Sequence, residues 1–378
     1  MIYLDYSATT PVDDSVLDTF CQVTKKFIGN PNSLHRLGME AKDLISAATK
    51  QIEDILNISD CDIIYTSGAS EANNTAIKGI CFKYKNRGNH IITTELEHSS
   101  VIAPLSYLQK HGFIVDFVKL KDNGQVDLED LKRLMNDHTI LVSISSVNSE
   151  VGIKQPIHEI SNIVKEYPKC YFHSDMTQSI GKEIVDLQDI DLVSFSAQKF
   201  FGIKGVGCLI KKKNIVIDPL IHGGKSTTIY RSGTPALSLI VSMSKALRIA
   251  YLDFDDKYKY IVQLNEYLKE KLSHLDIYIN SNDFCIPHII NISLKHIKSE
   301  TMLHALEEED IYISTQTACS TSNVSRPVFV VTNDQDRASH SMRISISYLT
   351  TKEELDQFLE IFTRKLKELG GLNESNKN

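Results

Sequence analysis

The sequence of 378 residues contains no tryptophan, so tyrosine and phenylalanine must supply its aromatic packing. It has no apolar run near the roughly 18 residues a membrane-spanning helix needs, so no transmembrane helix is expected. Its first residues, MIYLDYSATT, show no basic stretch followed by an apolar one. The expectation is therefore no secretory signal and a cytoplasmic protein. Positive charge is not in excess. With 41 Lys and Arg against 48 Asp and Glu, the net charge is −7. That argues against binding nucleic acid or an anionic membrane through an overall positive field. A local exception is Lys211-Lys212-Lys213, which reads as a solvated strand end.

Cysteine is present but lacks the patterns that give it a structural role. Cys21, Cys61, Cys81, Cys170, Cys208, Cys285 and Cys319 are odd in number, widely spaced and include no CxxC pair. Neither a disulfide framework nor a metal site is expected. Six of the seven read as small, mostly buried hydrophobes, and a reactive cysteine must be singled out by its surroundings. Internal repeats and low-complexity segments are also missing.

What remains is an ordinary globular composition, 42% hydrophobic and 24% charged, in a chain long enough for a full core and two domains. Strand-like runs at 62–66, 90–93, 113–118, 140–145, 171–174, 192–195 and 207–210 alternate with helix-like runs at 69–84, 99–110, 128–135 and 157–167. Such alternation implies βαβ units and a largely parallel sheet covered on both faces. After about residue 235 the pattern changes. A long helical stretch at 237–272 is followed by short strands at 289–293 and 342–347 and helices at 300–308 and 351–368, as in a smaller α+β domain. The opening segment, 2–30, is expected to pack partly on that domain, and the polar tail from 370 to fray.

Several segments carry chemistry. In Ser194-Phe195-Ser196-Ala197-Gln198-Lys199-Phe200-Phe201-Gly202, a lysine sits between an apolar strand and a Gly-rich turn. Desolvation there favours the neutral, nucleophilic amine that a Schiff base requires. Such a lysine needs an acidic partner for a pyridinium nitrogen. Asp175, ending the strand Tyr171-Phe172-His173-Ser174, is available at the carboxyl edge where α/β sheets bind ligands. Thr66-Ser67-Gly68-Ala69-Ser70-Glu71 reads as strand, glycine turn and helix start, a setting that binds phosphate; Ser67 or Ser70 would otherwise be a plain cap. His98, just past a strand end, is either a surface residue or one that stacks on an aromatic cofactor. His222-Gly223-Gly224-Lys225-Ser226 lacks the first glycine of a P-loop, since position 219 is Pro219, and is not read as a nucleotide site.

Together these segments resemble the NifS/IscS-type cysteine desulfurases, a branch of the class V aminotransferases with the type I PLP fold. The matching strings run from LDYSATTPV through GNPNSLHRLG, TSGASEANNTAIKG, ITTELEHSSV, SVNSEVGIKQPI, HSDMTQSIGK, SFSAQKFFGIKGVG, RSGT and TACS to MRISIS. The resemblance implies a large domain, residues 12–250, with a mostly parallel seven-stranded sheet. It implies a smaller α+β domain made of residues 1–11 and 251–378. It also implies pyridoxal 5'-phosphate (PLP) as cofactor, tethered by Lys199. Asp175 would pair with the ring nitrogen, His98 stack on the ring, and Gln178 bond its phenolic oxygen. Ala69, Ser70 and Ser196 would hold the phosphate, and Thr234 would reach the phosphate of a partner subunit in a homodimer. Arg343, with Asn32, would bind the substrate carboxylate. Cys319, among the small and polar residues 315–323, would take sulfur from L-cysteine as a persulfide, leaving alanine. The sulfur would pass to an acceptor protein: an iron–sulfur scaffold, a tRNA-thiolation enzyme or a DNA-phosphorothioation component.

The sequence departs from the family at Gln198, usually His, and at Ser149, usually Asn, both beside the cofactor positions. Lys225–Tyr230 and the string before Cys319 also differ. These changes suggest a specialised enzyme with a dedicated acceptor. The competing readings are a cysteine or selenocysteine lyase or an aminotransferase on the same fold, and a degenerate, non-catalytic family member.

Overall fold

A computed structural model describes residues 1–315 and 324–375 of the chain. Cys319 lies outside the described residues. Seven strands form one sheet in the order Cys61–Thr66, Gly207–Lys212, Leu192–Ser196, Tyr171–Asp175, Thr139–Ser143, His90–Thr93 and Ile114–Phe117. Only Gly207–Lys212 runs against its neighbours; the rest are parallel. The strands Leu192–Ser196 and Thr139–Ser143 are buried along their whole length. Helices cover both faces, so these strands need no polar alternation. Parallel running brings the carboxyl ends at Thr93, Ser143, Asp175 and Ser196 to one edge of the sheet. The antiparallel strand starts at that same edge, where Gly207 pairs with both Thr66 and Ser196.

One large core joins that sheet to helices Asp14–Lys26, Arg36–Ile55 and Leu237–Tyr251 through Val16, Val23, Ile45, Ile52, Phe195 and Met243. A separate core is built from Ile2, Leu4, Leu264, Leu268, Ile290, Ile292, Ile344 and Phe358. It backs a three-stranded antiparallel sheet with Ile289–Leu294 in the middle. The opening segment divides between the two. Ile2 pairs with Ile311 and packs in the second core, whereas Val16 and Val23 pack in the first.

Three local expectations are corrected. The helical stretch at 237–272 is two helices, Leu237–Tyr251 and Phe254–Ser273, because Leu252 is extended and Asp253 has φ 52°. A left-handed residue cannot propagate the i→i−4 bonds, so the hydrophobic periodicity runs through a break in the backbone. Lys211 is fully buried within its strand, not solvated. Its Nζ pairs with Asp62 at 2.8 Å, donates to the Ile215 carbonyl at 2.6 Å and lies 4.5 Å from the Tyr230 ring centre. Among the cysteines, Cys81, Cys170 and Cys208 are buried, Cys61 and Cys285 half-buried, and Cys21 is exposed on the outer face of its helix.

Candidate active site

At the carboxyl edge of the sheet opens a cavity of about 350 Å³. That falls within the range of small-molecule sites. It is lined by Ala69, Ser70, His98, Ser149, Asp175, Gln178, Ser196, Gln198, Lys199 and Arg343, together with residues the sequence reading did not single out, such as Ser7, Ser100 and Thr177. Residues as far apart in the chain as Ser7 and Arg343 meet here, most of them at or just past strand ends and helix starts. Two named residues lie elsewhere. Asn32 is exposed, with its amide 3.4 Å from the Ser226 hydroxyl, and Thr234 is exposed on this chain's surface.

Lys199 ends the short 3-10 turn that follows the buried strand Leu192–Ser196. Its Nζ donates to the carbonyl oxygens of Ser7 at 2.7 Å and Ala8 at 2.6 Å. The backbone of the opening segment therefore fixes the amine at the cavity wall.

Asp175 is buried, and its hydrogen-bond donors are neutral. Asn73 Nδ2 reaches Oδ2 at 2.7 Å, while the Thr177 amide and hydroxyl reach Oδ1 at 3.0 and 2.5 Å. A buried carboxylate so arranged remains available to a cation in the cavity. The Asn73 amide also donates to Ser100 Oγ at 2.9 Å, and Ser100 Oγ lies 2.8 Å from His98 Nδ1. His98 caps helix Ser99–Gln109, and its Nδ1 accepts from the Ser100 amide. Burial holds its pKa below the ordinary histidine value, against the opposing pull of Asp175. The ring is thus neutral, with Nδ1 as acceptor. The buried Glu97 beside it accepts from the Ser145 amide and hydroxyl and from Thr94 Oγ1, and burial pushes its carboxyl up to about 8.

The opposite end of the cavity begins at helix Ala69–Lys83, whose N-cap, Gly68, offers no side-chain acceptor. Its first amides are left for a ligand, and the Ser70 and Ser196 side chains line the same end. Close packing makes this possible. A Cβ on Gly207 would sit 2.6 Å from the Gly68 backbone, so only glycine lets the two loops touch.

Arg343 is 2% exposed. Its two terminal nitrogens donate to Asp5 Oδ1 at 2.6 Å and the Ser149 carbonyl at 2.9 Å, while Nε is buried with no hydrogen-bond partner. The backbone of Arg343 also pairs with Ser314, on the near side of the segment that carries Cys319. On the far side, Ser325 Oγ donates to Glu150 at 2.6 Å.

The cavity suits PLP. It offers a lysine amine, a carboxylate held by neutral donors, a neutral imidazole and an uncapped helix start, spaced around one volume. The signal for Asn73, Ser100 and Thr177 in sequence is only their place inside matched strings, since each acts through a neighbour.

The aminotransferase class-V family model matches residues 2–358. The cysteine desulfurase IscS of Dictyoglomus turgidum is 37% identical over 97% of this chain and 95% of its own length. A solved NifS-like protein superposes with a TM-score of 0.92 at 34% identity, covering 97% of this chain and all of its own. SspA, solved in complex with cysteine, superposes with a TM-score of 0.82 at 30% identity over 93% of this chain and all of its own.

Proposed function

This chain belongs to the class V aminotransferases, and from that premise we infer that it is a PLP-dependent cysteine desulfurase. The observation that carries the reading is the single cavity in which the Lys199 amine and the Asp175 carboxylate both present themselves, with His98 and Arg343 on its walls. PLP, when bound, supplies an electron sink that stabilises the negative charge left on the substrate Cα when its proton departs.

The chain's own residues do the rest. Lys199 would tether the cofactor, and its amine would hold and move the substrate Cα proton. Asp175 would accept a hydrogen bond from the ring nitrogen and favour its protonated form, and the His98 ring would pack on the cofactor face. The amides of Ala69 and Ser70 and the hydroxyls of Ser70 and Ser196 hold the phosphate. Gln178 bonds the phenolic oxygen, and Ser149 and Gln198 complete the wall. Arg343, on the cavity wall, takes up the substrate carboxylate, a role that Asn32 can share only by moving from its exposed position beside Ser226. The Cys319 thiolate attacks the substrate sulfur; the S–S bond forms, the C–S bond breaks, and the carbon skeleton takes up protons to leave as alanine. Support for Cys319 comes from its position. Ser314, five residues earlier, is paired with Arg343 at the cavity, and five residues can span about 17 Å.

Residues 12–250 form the cofactor-binding unit in this reading, and residues 1–11 with 251–378 form the smaller one, as the separate cores support. Thr234, exposed on this chain, serves the phosphate of a partner subunit in a homodimer. The sulfur acceptor is a protein of iron–sulfur assembly or nucleic-acid thiolation, and the setting is the cytoplasm. Among the described residues no helix is long and apolar enough to cross a membrane.

The test is Cys319→Ser with L-cysteine. Loss of both alanine and persulfide supports the desulfurase. Sulfide release that continues unchanged would instead mark an elimination reaction, which has no need of that thiol.

A further inference from the structure

Lys182 is a buried lysine that the sequence reading did not single out. Its side chain is enclosed beside the active cavity, and its Nζ donates to Gln178 Oε1 at 2.6 Å. The other end of the same amide, Gln178 Nε2, donates to the Ser7 carbonyl at 3.0 Å. A carbonyl oxygen only accepts, so Ser7 fixes which end of the amide is nitrogen, and Lys182 satisfies the oxygen that results. Held from both sides, Gln178 has one N–H left, and Gln178 lines the active cavity. The Ser7 carbonyl that accepts from Gln178 also accepts from Lys199. Lys182, Gln178, Ser7 and Lys199 thus form one connected chain of hydrogen bonds.

Lys182 also lines a second, small cavity of about 30 Å³ that Lys199 borders too. Lys199 lines both cavities and so stands in the wall between them. Besides Lys199, the titratable groups lining the second cavity are Lys182, Lys257 and His288 with Tyr6, Tyr258 and Tyr348, and none of the described residues lining it is a carboxylate. On the active side Arg343 is paired with Asp5, and Asp175 faces His98. Burial, then Lys199 and Arg343, hold the Lys182 amine well below its ordinary basicity.

We propose that Lys182 is a positioning residue that locks the Gln178 amide with its nitrogen toward the active cavity, so that Gln178 can only donate to the phenolic oxygen of the cofactor. This rests on the cofactor reading above and adds a residue to it. A donor on that oxygen stabilises its negative charge most when the linkage to Lys199 is deprotonated, and so lowers the pH at which the linkage loses its proton. Without Lys182, the amide can turn or swing away, and the midpoint rises.

The experiment follows the absorbance of bound PLP against pH in substrate-free holoenzyme. In Lys182→Met the midpoint should rise by roughly half to one pH unit, the size of one neutral hydrogen bond. Gln178→Ala should raise it by a similar amount, and the double variant no further. Lys182→Gln, which keeps an N–H donor, should restore most of the wild-type midpoint. Lys182→Leu replaces the methionine variant if that one does not fold. An unchanged midpoint in the apolar variants, or full additivity with Gln178→Ala, would overturn the proposal while leaving the cofactor reading intact. Failure of the wild-type protein to take up PLP, or uptake with a normal spectrum in Lys199→Ala, would instead defeat the cofactor reading itself.

Discussion

Asn73 Nδ2 stands 2.7 Å from Asp175 Oδ2, a contact between the first helix after the phosphate turn and the end of a strand 102 residues later. The same amide nitrogen reaches Ser100 Oγ, while Asn73 Oδ1 is buried without a partner. Asn73 therefore aims the carboxylate and ties it to the residue that orients His98. Replacing it with Ala should leave the fold in place but weaken PLP retention severalfold. One hydrogen bond to a charged group is worth roughly 1.5–3 kcal/mol, though Thr177 still holds the other oxygen. Dialysis of the holoenzyme followed by cofactor absorbance would check this; retention equal to wild type would show that Asp175 needs no such guide.

Gly207→Ala tests the close approach of the two loops. The new methyl would meet the Gly68 backbone and the Phe195 carbonyl, neither of which is a flexible side chain. Overpacking of this kind costs about 1–3 kcal/mol. Thermal melting should fall by several degrees, and PLP affinity should fall with it because the displaced loop starts the phosphate-binding helix. A variant that melts lower yet binds PLP normally would separate the packing from the phosphate grip.

Glu97 gives a pH dependence with a definite sign. Burial raises its carboxyl from 4.5 to about 8 in the folded chain. Between those values the folded state keeps a proton that the unfolded state has lost, so this residue's contribution is full below about 4.5 and is lost as pH rises toward 8. The slope is about 1.4 kcal/mol per pH unit at most. Glu97→Gln removes the titration, so urea midpoints of the two proteins should diverge in favour of the variant as pH climbs through that window. Parallel curves would show that Glu97 ionises without cost.

The pairing of the buried Lys211 with the partly exposed Asp62 predicts an asymmetry. Asp62→Ala leaves the enclosed ammonium with carbonyl acceptors and the Tyr230 ring but no counter-charge, and should cost about 3 kcal/mol in chemical denaturation. Lys211→Met, which removes the buried charge and keeps the length, should cost less. Equal losses would mean that the pair acts through packing alone.

Much of the sheet could be read in the chain because its strands are short, apolar and separated by helical periodicity. His90–Thr93 needs no adjustment, and most others move by one or two residues. The helices Asp14–Lys26 and Arg36–Ile55 were not assigned, although each has a recognisable cap, in Asp13 and His35. Their apolar faces are broken by lysines and acids, and they pack on Leu237–Tyr251, distant in sequence. The site residues that carry a charge or a ring were legible from strand ends and matched strings. Asn73, Ser100, Lys182 and Asp5 were not, because each is defined by whom it touches, and those partners lie between two and 338 positions away. The burial of Lys211 was hidden for a related reason: three consecutive lysines look solvated until a tyrosine and an aspartate from elsewhere close over the first.

The first eight residues supply Lys199 with both its carbonyl acceptors and Arg343 with its counter-ion, and they are held in place by pairing with residues 311 and 345. During synthesis this segment must wait for the strand Ser341–Ser345 before it can settle. Fragments released before that strand is made would fold a sheet and still lack a finished catalytic lysine.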